Sequence, residues 1–175
     1  MLRGLTNLTF VYVPREDRIM AAINAGRPDA WSCWLTRRLS LAVLERTTDY
    51  LASKSDLAQK APADFRGEAI AFERDAAIAK TARAMSVTPP AVLQSSASAA
   101  ALAERLTISQ QGDSFRLELH GQGGEGTAGM VKRDELQRIL QMLQVEVVKA
   151  GWLGAPAKPQ AAPAAAAGDP KPFRN

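Results

Sequence analysis

In the first third of the chain the apolar positions alternate, pause at a turn and alternate again. Thr9-Phe10-Val11-Tyr12-Val13 is β-branched and aromatic, which suits a pleated surface. Pro14-Arg15-Glu16-Asp17 predicts a turn, because Pro fixes φ and the charged residues want water. Arg18 to Ile23 resumes with Ile19, Ala21 and Ile23 on one face, and the turn formers Asn24 to Pro28 end it. A long helix is then expected from an N-cap at Asp29 to about Leu51. Trp31, Trp34, Leu35, Leu39, Leu41 and Leu44 cover more than one stripe of it, so it is expected to be central and buried.

A polar connector, Ala52 to Ala63, leads to a second helix capped by Asp64, where Phe65, Ala69, Phe72, Ala76 and Ala79 repeat at helical spacing and predict close packing against a neighbour. Pro89-Pro90 ends that region. Residues 91–101, rich in Ser and Ala, fit a loop or a short helix equally well. A second hairpin follows: Leu106 to Ser109, a turn at Gln111-Gly112-Asp113, then Phe115 to His120. A Gly-rich loop from Gly121 to Gly129 leads to Met130-Val131, a short third strand. The last helix starts near Asp134 and carries Leu136, Ile139, Leu140, Leu143, Val147 and Ala150 as one stripe. Gly151 stands where a left-handed C-terminal glycine belongs, with Trp152 folding back on Val147 or Val148. The expected fold is α+β: two β-hairpin units in one mainly antiparallel sheet, with about three helices on one side. The two hairpin-then-helix units do not align residue by residue.

Composition changes this picture at one place. Residues 155–175 hold five of the ten prolines and eight alanines, which predicts a disordered tail over 154–175 behind a single domain over 1–153. The tail also carries part of the charge. Without Lys158, Lys171, Arg174 and Asp169 the net +4 falls to about +2, too little for strong long-range attraction to phosphates. One Cys and one His exclude an internal disulfide and any site with two His ligands from one chain. No run approaches the ~18 apolar residues of a membrane span, and no cleavage pattern follows Phe10–Val13, so the cytoplasm is the expected compartment.

Candidate chemistry is sparse. Gly121-Gln122-Gly123-Gly124-Glu125-Gly126 spells a dinucleotide fingerprint with Glu146 about twenty residues on. The helix it should open starts too late, so a hairpin loop without a nucleotide is expected. A Cys33–His120 dyad is disfavoured. Cys33 sits among tryptophans as a small hydrophobe with a raised pKa, and His120 falls on the outward face of its strand. Glu16-Asp17-Arg18 reads as a solvated turn. Arg37-Arg38 interrupts an apolar stretch, so these guanidinium groups should pair with Glu16, Asp17 or Glu73, and Arg38 in particular with Glu16 or Asp17. The alternative is an anion or partner contact at the same arginines. Trp31 and Trp34 are candidate hydrophobic anchors, with core packing the favoured role. No catalytic residue, metal ligand or cofactor is assigned.

Tyr12-Val13-Pro14, Glu16-Asp17-Arg18-Ile19, Trp34-Leu35-Thr36-Arg37-Arg38, Ala71-Phe72-Glu73 and Ala150-Gly151-Trp152, in that order, resemble an uncharacterised family of proteobacterial hypothetical proteins over about residues 10–152. The resemblance implies no activity. The expectation is therefore a non-enzymatic interaction or assembly subunit with a protein partner or a second copy of itself. Two rivals stand beside it. Nucleic-acid binding would use Arg15, Arg18, Arg27, Arg37 and Arg38, and an enzyme would use a carboxylate–Arg site at Glu16, Asp17 and Arg38.

Overall fold

The computed structural model describes residues 2–81 and 100–153. The Pro89-Pro90 stop, nearly all of the Ser/Ala-rich stretch and the tail lie outside the described residues. In chain order the elements are β1 (Leu2–Gly4), β2 (Leu8–Val13), β3 (Arg18–Ile23), β4 (Trp31–Leu35), α1 (Arg37–Ser53), α2 (Asp56–Lys60), α3 (Arg66–Thr81), β5 (Ala101–Gln111), β6 (Ser114–Gly121), β7 (Gly126–Lys132) and α4 (Arg133–Lys149).

The first hairpin forms as its alternation requires, with Val13 opposite Arg18 and Leu8 opposite Ile23. The turn closes through Glu16 N–H to Val13 O at 3.1 Å and Asp17 N–H to Pro14 O at 3.2 Å. The next element differs from expectation. Trp31-Ser32-Cys33-Trp34-Leu35 is a strand antiparallel to β3, with Trp31 opposite Ile23 and Leu35 opposite Ile19. Its residues alternate: Trp31, Cys33 and Leu35 join the core, while Ser32 and Trp34 point to the other face. Thr36, not Asp29, caps the helix, its hydroxyl accepting Leu39 N–H at 3.2 Å. The apparent double stripe was a strand and a helix set end to end.

The seven strands follow the order β1-β7-β6-β5-β4-β3-β2. Neighbours are antiparallel except β1–β7 and β4–β5, and the latter pair meets only at Cys33–Ala101 and Trp34–Leu102. At ~4.8 Å per strand a flat sheet would hold β1 and β2 roughly 29 Å apart. Only Leu5 to Asn7 join them, which reach at most about 14 Å. The sheet therefore curls until its edges approach. Asn24 fixes the closure: fully buried, with φ +52°, it accepts Thr6 N–H at 2.8 Å and donates to Gly4 O at 2.6 Å and to Asp29 at 2.7 Å.

The helices pack on one face of the sheet. Leu136, Leu140, Leu143 and Val147 of α4 meet Phe10, Phe115, Leu117 and Leu119, while α1 adds Val43 and Leu51. The end of α4 is as its sequence predicts. Gly151 has φ +67° and donates to Val148 O at 2.9 Å, and Trp152 N–H reaches Val147 O at 3.2 Å. The fold is α+β, with short α2 added to the three longer helices. Two details depart from the sequence. Asp64 lies in a 3-10 turn, Ala63–Phe65, and not at a helix cap. The α3 stripe expected to pack inward faces solvent, with Phe65 56% and Phe72 69% exposed, because α3 turns Ile70, Glu73 and Ala77 toward its neighbours.

Candidate functional site

Helices α1, α3 and α4 leave a groove of about 460 Å³ between them. Its lining combines residues one step aside from the buried stripes with Leu51, Gln137 and Leu140 of the stripes themselves. On α1 the buried positions are Ser40, Val43, Thr47 and Leu51. Leu41, Leu44, Glu45 and Thr48 follow them at helical spacing and form one wall. On α4 the stripe Leu136, Leu140, Leu143 turns Gln137, Gln141 and Gln144 into the opposite wall, at i, i+4 and i+7. Ile70 of α3 and Leu153 complete the apolar lining. Gln141 and Gln144 face two exposed carboxylates, Glu45 and Asp49, across a leucine floor, while Gln137 is buried toward Glu73. Neither Glu45 nor Asp49 has an ion-pair partner among the described residues.

One end of the groove is closed by a polar clasp. Glu73 of α3 pairs with Arg133 Nε, accepts Ser55 Oγ at 2.6 Å and faces Gln137 Nε2 at 3.4 Å. Arg133 Nη2 also donates to Leu51 O at 2.7 Å, a carbonyl in the last turn of α1 that accepts Lys54 N–H at 3.2 Å as well. Both charged side chains are about three-quarters buried, at 24% and 23% exposure, and both are multiply hydrogen-bonded, as a buried pair requires. The clasp ties together the end of α1, the cap of α2, the middle of α3 and the start of α4. Sequence reading missed it because its members stand up to 82 residues apart. The only signal was a run of glutamines beside the clearest apolar stripe of the chain.

The arginines and acids singled out from the sequence gather elsewhere. Asp17 accepts the Tyr12 hydroxyl at 3.0 Å and Trp152 Nε1 at 3.1 Å. Tyr12 and Trp152 meet edge to face at 5.8 Å. Burial, and then the Asp17 carboxylate, push the Tyr12 hydroxyl pKa up. Arg37 donates to Trp152 O at 3.2 Å. Arg38 is exposed and has no ion pair among the described residues; the expected bond to Glu16 or Asp17 is not formed, because α1 begins only at residue 37 and sets Arg38 on its outer side. Glu16, Arg15 and Arg18 are exposed at the same end of the sheet. Arg27 lies at the opposite end of β3 and pairs with Asp29 at 3.5 Å, so the five arginines form no single surface.

The two tryptophans separate as well. Trp31 is in the core against Gly121, where a Cβ would stand 2.8 Å from the ring, and Trp34 lies on the other face opposite Met20 and Leu102. Cys33 is buried on β4 and its thiol is pushed up to about 12 by burial alone, which leaves it unreactive. His120 faces away from the helices beside Glu118, whose carboxyl is held down by Arg116 at 2.5 Å and then by His120 at 3.2 Å. The glycine motif forms the tight β6–β7 connection, with Gly123 and Gly124 in the left-handed region and no helix start behind it. Glu146, noticed in the sequence only for its spacing from that motif, is buried in α4. It accepts Tyr12 N–H of edge strand β2 at 2.8 Å and Lys149 Nζ at 2.5 Å.

Among the described residues no cluster of His, Cys, Asp and Glu could hold a metal ion, and no helix is long and apolar enough to cross a membrane. No family model, curated protein or solved structure matches the chain.

Proposed function

We propose that the protein is a non-enzymatic interaction or assembly subunit that takes an amphipathic helix of a protein partner into the groove between α1 and α4. The observation that carries this reading is the groove itself. An apolar groove edged by carboxylates on one side and amides on the other is the recognition surface for a helix that presents anchors at i, i+3 or i+4 and i+7. At about 460 Å³ it holds a few leucine-sized side chains. Glu45 and Asp49, one turn apart on α1, ask for Lys or Arg along one flank of the incoming helix. The amides of Gln141 and Gln144 can hydrogen-bond its polar side without a charge preference.

The test is retrieval from the native host with the wild-type chain and with Leu44→Arg as bait, followed by binding of a synthetic peptide from each retrieved protein. The reading expects a partner lost with Leu44→Arg, whose binding segment is a basic amphipathic helix. It also expects Glu45→Lys to weaken that peptide about tenfold, with a salt dependence the wild type shows and the variant loses. Partners retained undiminished by Leu44→Arg would move the interaction off the groove and overturn the reading.

A further inference from the structure

The chain leaves the described residues at the edge of the groove. Gly151, with φ +67°, and the bond from Trp152 N–H to Val147 O turn it at the end of α4, and Leu153 after them belongs to the groove lining. Glu45 and Asp49 stand exposed on the α1 wall with no ion-pair partner among the described residues, and Arg74 enters the lining from α3. Glu73 and Arg133 neutralise each other, so the remaining lining carries one acid more than it has cations. Beyond Leu153 the sequence holds one large apolar residue, Phe173, and sets it in Pro170-Lys171-Pro172-Phe173-Arg174 between two cations. We propose that this segment occupies the groove of its own chain, with Phe173 on the leucines and Lys171 and Arg174 against Glu45 and Asp49, so that a partner helix must displace it. This regulation rests on the reading of the groove as a seat for a basic segment with apolar anchors.

Reach and charge both fit. From Leu153 to Phe173 the chain runs twenty residues, which span roughly 25 Å as a coil and more where prolines stiffen them. The α1 wall from Leu41 to Asp49 is about 12 Å long. The acids therefore lie within reach of the segment, at a local concentration in the millimolar range. Phe173 needs an apolar seat and its cations need free carboxylates, and the groove supplies both side by side. Lys171 and Arg174 are three residues apart, one turn of the extended helix that Pro170 and Pro172 favour, so both cations fall along one edge roughly 9 Å apart. Glu45 and Asp49 are one α-helical turn apart, roughly 6 Å along the axis, and the long Lys and Arg side chains take up the difference. Residues 154–175 carry three cations and one acid, Asp169, so their net charge is opposite to that of the lining. One phenyl ring and two exposed ion pairs make a contact of about millimolar affinity. At a local concentration of a few millimolar the groove then stands open about a quarter of the time.

A nitroxide on the full chain tests the proposal. Asn175→Cys takes the label, while the Cys33 thiol, buried and pushed up to about 12, stays unlabelled. The expected result is paramagnetic broadening of the amide resonances of Leu44, Glu45, Thr48, Gln141 and Gln144, with His120 on the far face of the sheet unaffected. Phe173→Ala and Glu45→Lys should each remove most of it, and so should salt at about 0.5 M. Phe173 lies outside the fold and Glu45 is exposed, so both variants keep the core. Broadening confined to the neighbourhood of Leu153, or unchanged by Phe173→Ala and Glu45→Lys, overturns the proposal. A second measurement separates it from the partner reading. A basic amphipathic peptide that binds the groove should bind Phe173→Ala about fourfold tighter than the wild type. Equal binding would overturn the tail contact and leave the groove as a partner site. If no retrieved partner depends on Leu44 while the broadening is lost with Phe173→Ala, the partner reading falls and the tail contact stands.

Discussion

The sheet is built from two stretches of like connectivity. β2, β3 and β4 run antiparallel and lead into α1; β5, β6 and β7 run antiparallel and lead into α4. The helices that follow them differ sharply. The buried stripe of α4 includes Leu136, Leu140, Leu143 and Val147, and it crosses the sheet to β2, where Glu146 holds a backbone N–H. The buried stripe of α1 is Ser40, Val43, Thr47 and Leu51, so half of it is hydroxyl-bearing. Its apolar residues Leu41 and Leu44 stand instead on the groove side. One helix spends its leucines on the core and the other holds some of them for the groove. The comparison teaches that a groove wall is legible as a displaced stripe: apolar residues beside the buried positions and not on them.

The largest effect should separate the two helices directly. Leu143→Ala empties a fully buried site in α4 and should cost about 3–4 kcal/mol, since large-to-small changes lose both the transfer energy and the packing around the cavity. Val43→Ala, at 9% exposure on α1, should cost about 1–2 kcal/mol. Urea unfolding of both variants checks this. Equal losses would show that α1 is as deeply anchored as α4.

The clasp comes next, because it joins α3 and α1 of the first half to α4 of the second. Arg133→Met strands the Glu73 carboxylate, and Glu73→Gln leaves Arg133 with one charged partner fewer. We expect about 2–3 kcal/mol from Arg133→Met, and less from the double variant than from the two single changes added, because the second change removes the group stranded by the first. Additive losses would mean that the two residues act independently.

Gly121 is a smaller point of contact between the halves. An added methyl would lie 2.8 Å from Cζ2 of Trp31, a ring that is 7% exposed and cannot move freely. Gly121→Ala should therefore cost about 1–2 kcal/mol through overpacking. Gly123→Ala should also cost stability, but through its φ of +83°, with nothing within 4 Å. A paired Trp31→Leu change should rescue part of the first loss and none of the second.

Legibility in the sequence followed the reach of the forces. Both hairpins and α4 declared themselves, because alternation, turn residues and a glycine C-cap are local. β4 did not, because it runs into α1 with only Thr36 between the two elements, and a five-residue strand of bulky residues mimics a helical turn at short range. The curled sheet was hidden for a different reason: it is fixed by Asn24 reaching Gly4 and Thr6 across the strand ends. At the candidate site, the sequence offers Glu73 as a partner for the arginines at 37 and 38, yet its partner is Arg133, sixty residues on. The α3 stripe was visible, but not the side it would turn to the protein. That choice rests on which neighbours Glu73 and Lys80 find, and Lys80 reaches Asp134 of α4 at 2.5 Å.

The smallest effect has the opposite sign and probes why α1 is the weaker helix. Ser40 is fully buried on its inner stripe, and its hydroxyl has no hydrogen-bond partner among the described residues. Its backbone N–H is satisfied by Thr36 O at 2.9 Å, so the helix itself is intact there. A buried hydroxyl that gave up water and found nothing costs of the order of 1 kcal/mol or more. Alanine keeps the Cβ and its packing, removes the stranded oxygen and has the higher helix propensity by a few tenths of a kcal/mol. The gap left by one oxygen offsets part of this gain. Ser40→Ala should therefore stabilise the protein by about 0.5–1 kcal/mol, a rise of roughly 1–4 °C in Tm for a domain of this size. Thr47→Ala sits one stripe position on, loses a methyl as well as a hydroxyl and should not be stabilising. If Ser40→Ala melts lower than the wild type, the hydroxyl has found a partner in solution, such as a bound water, and α1 is held more firmly against the sheet than its sequence suggests.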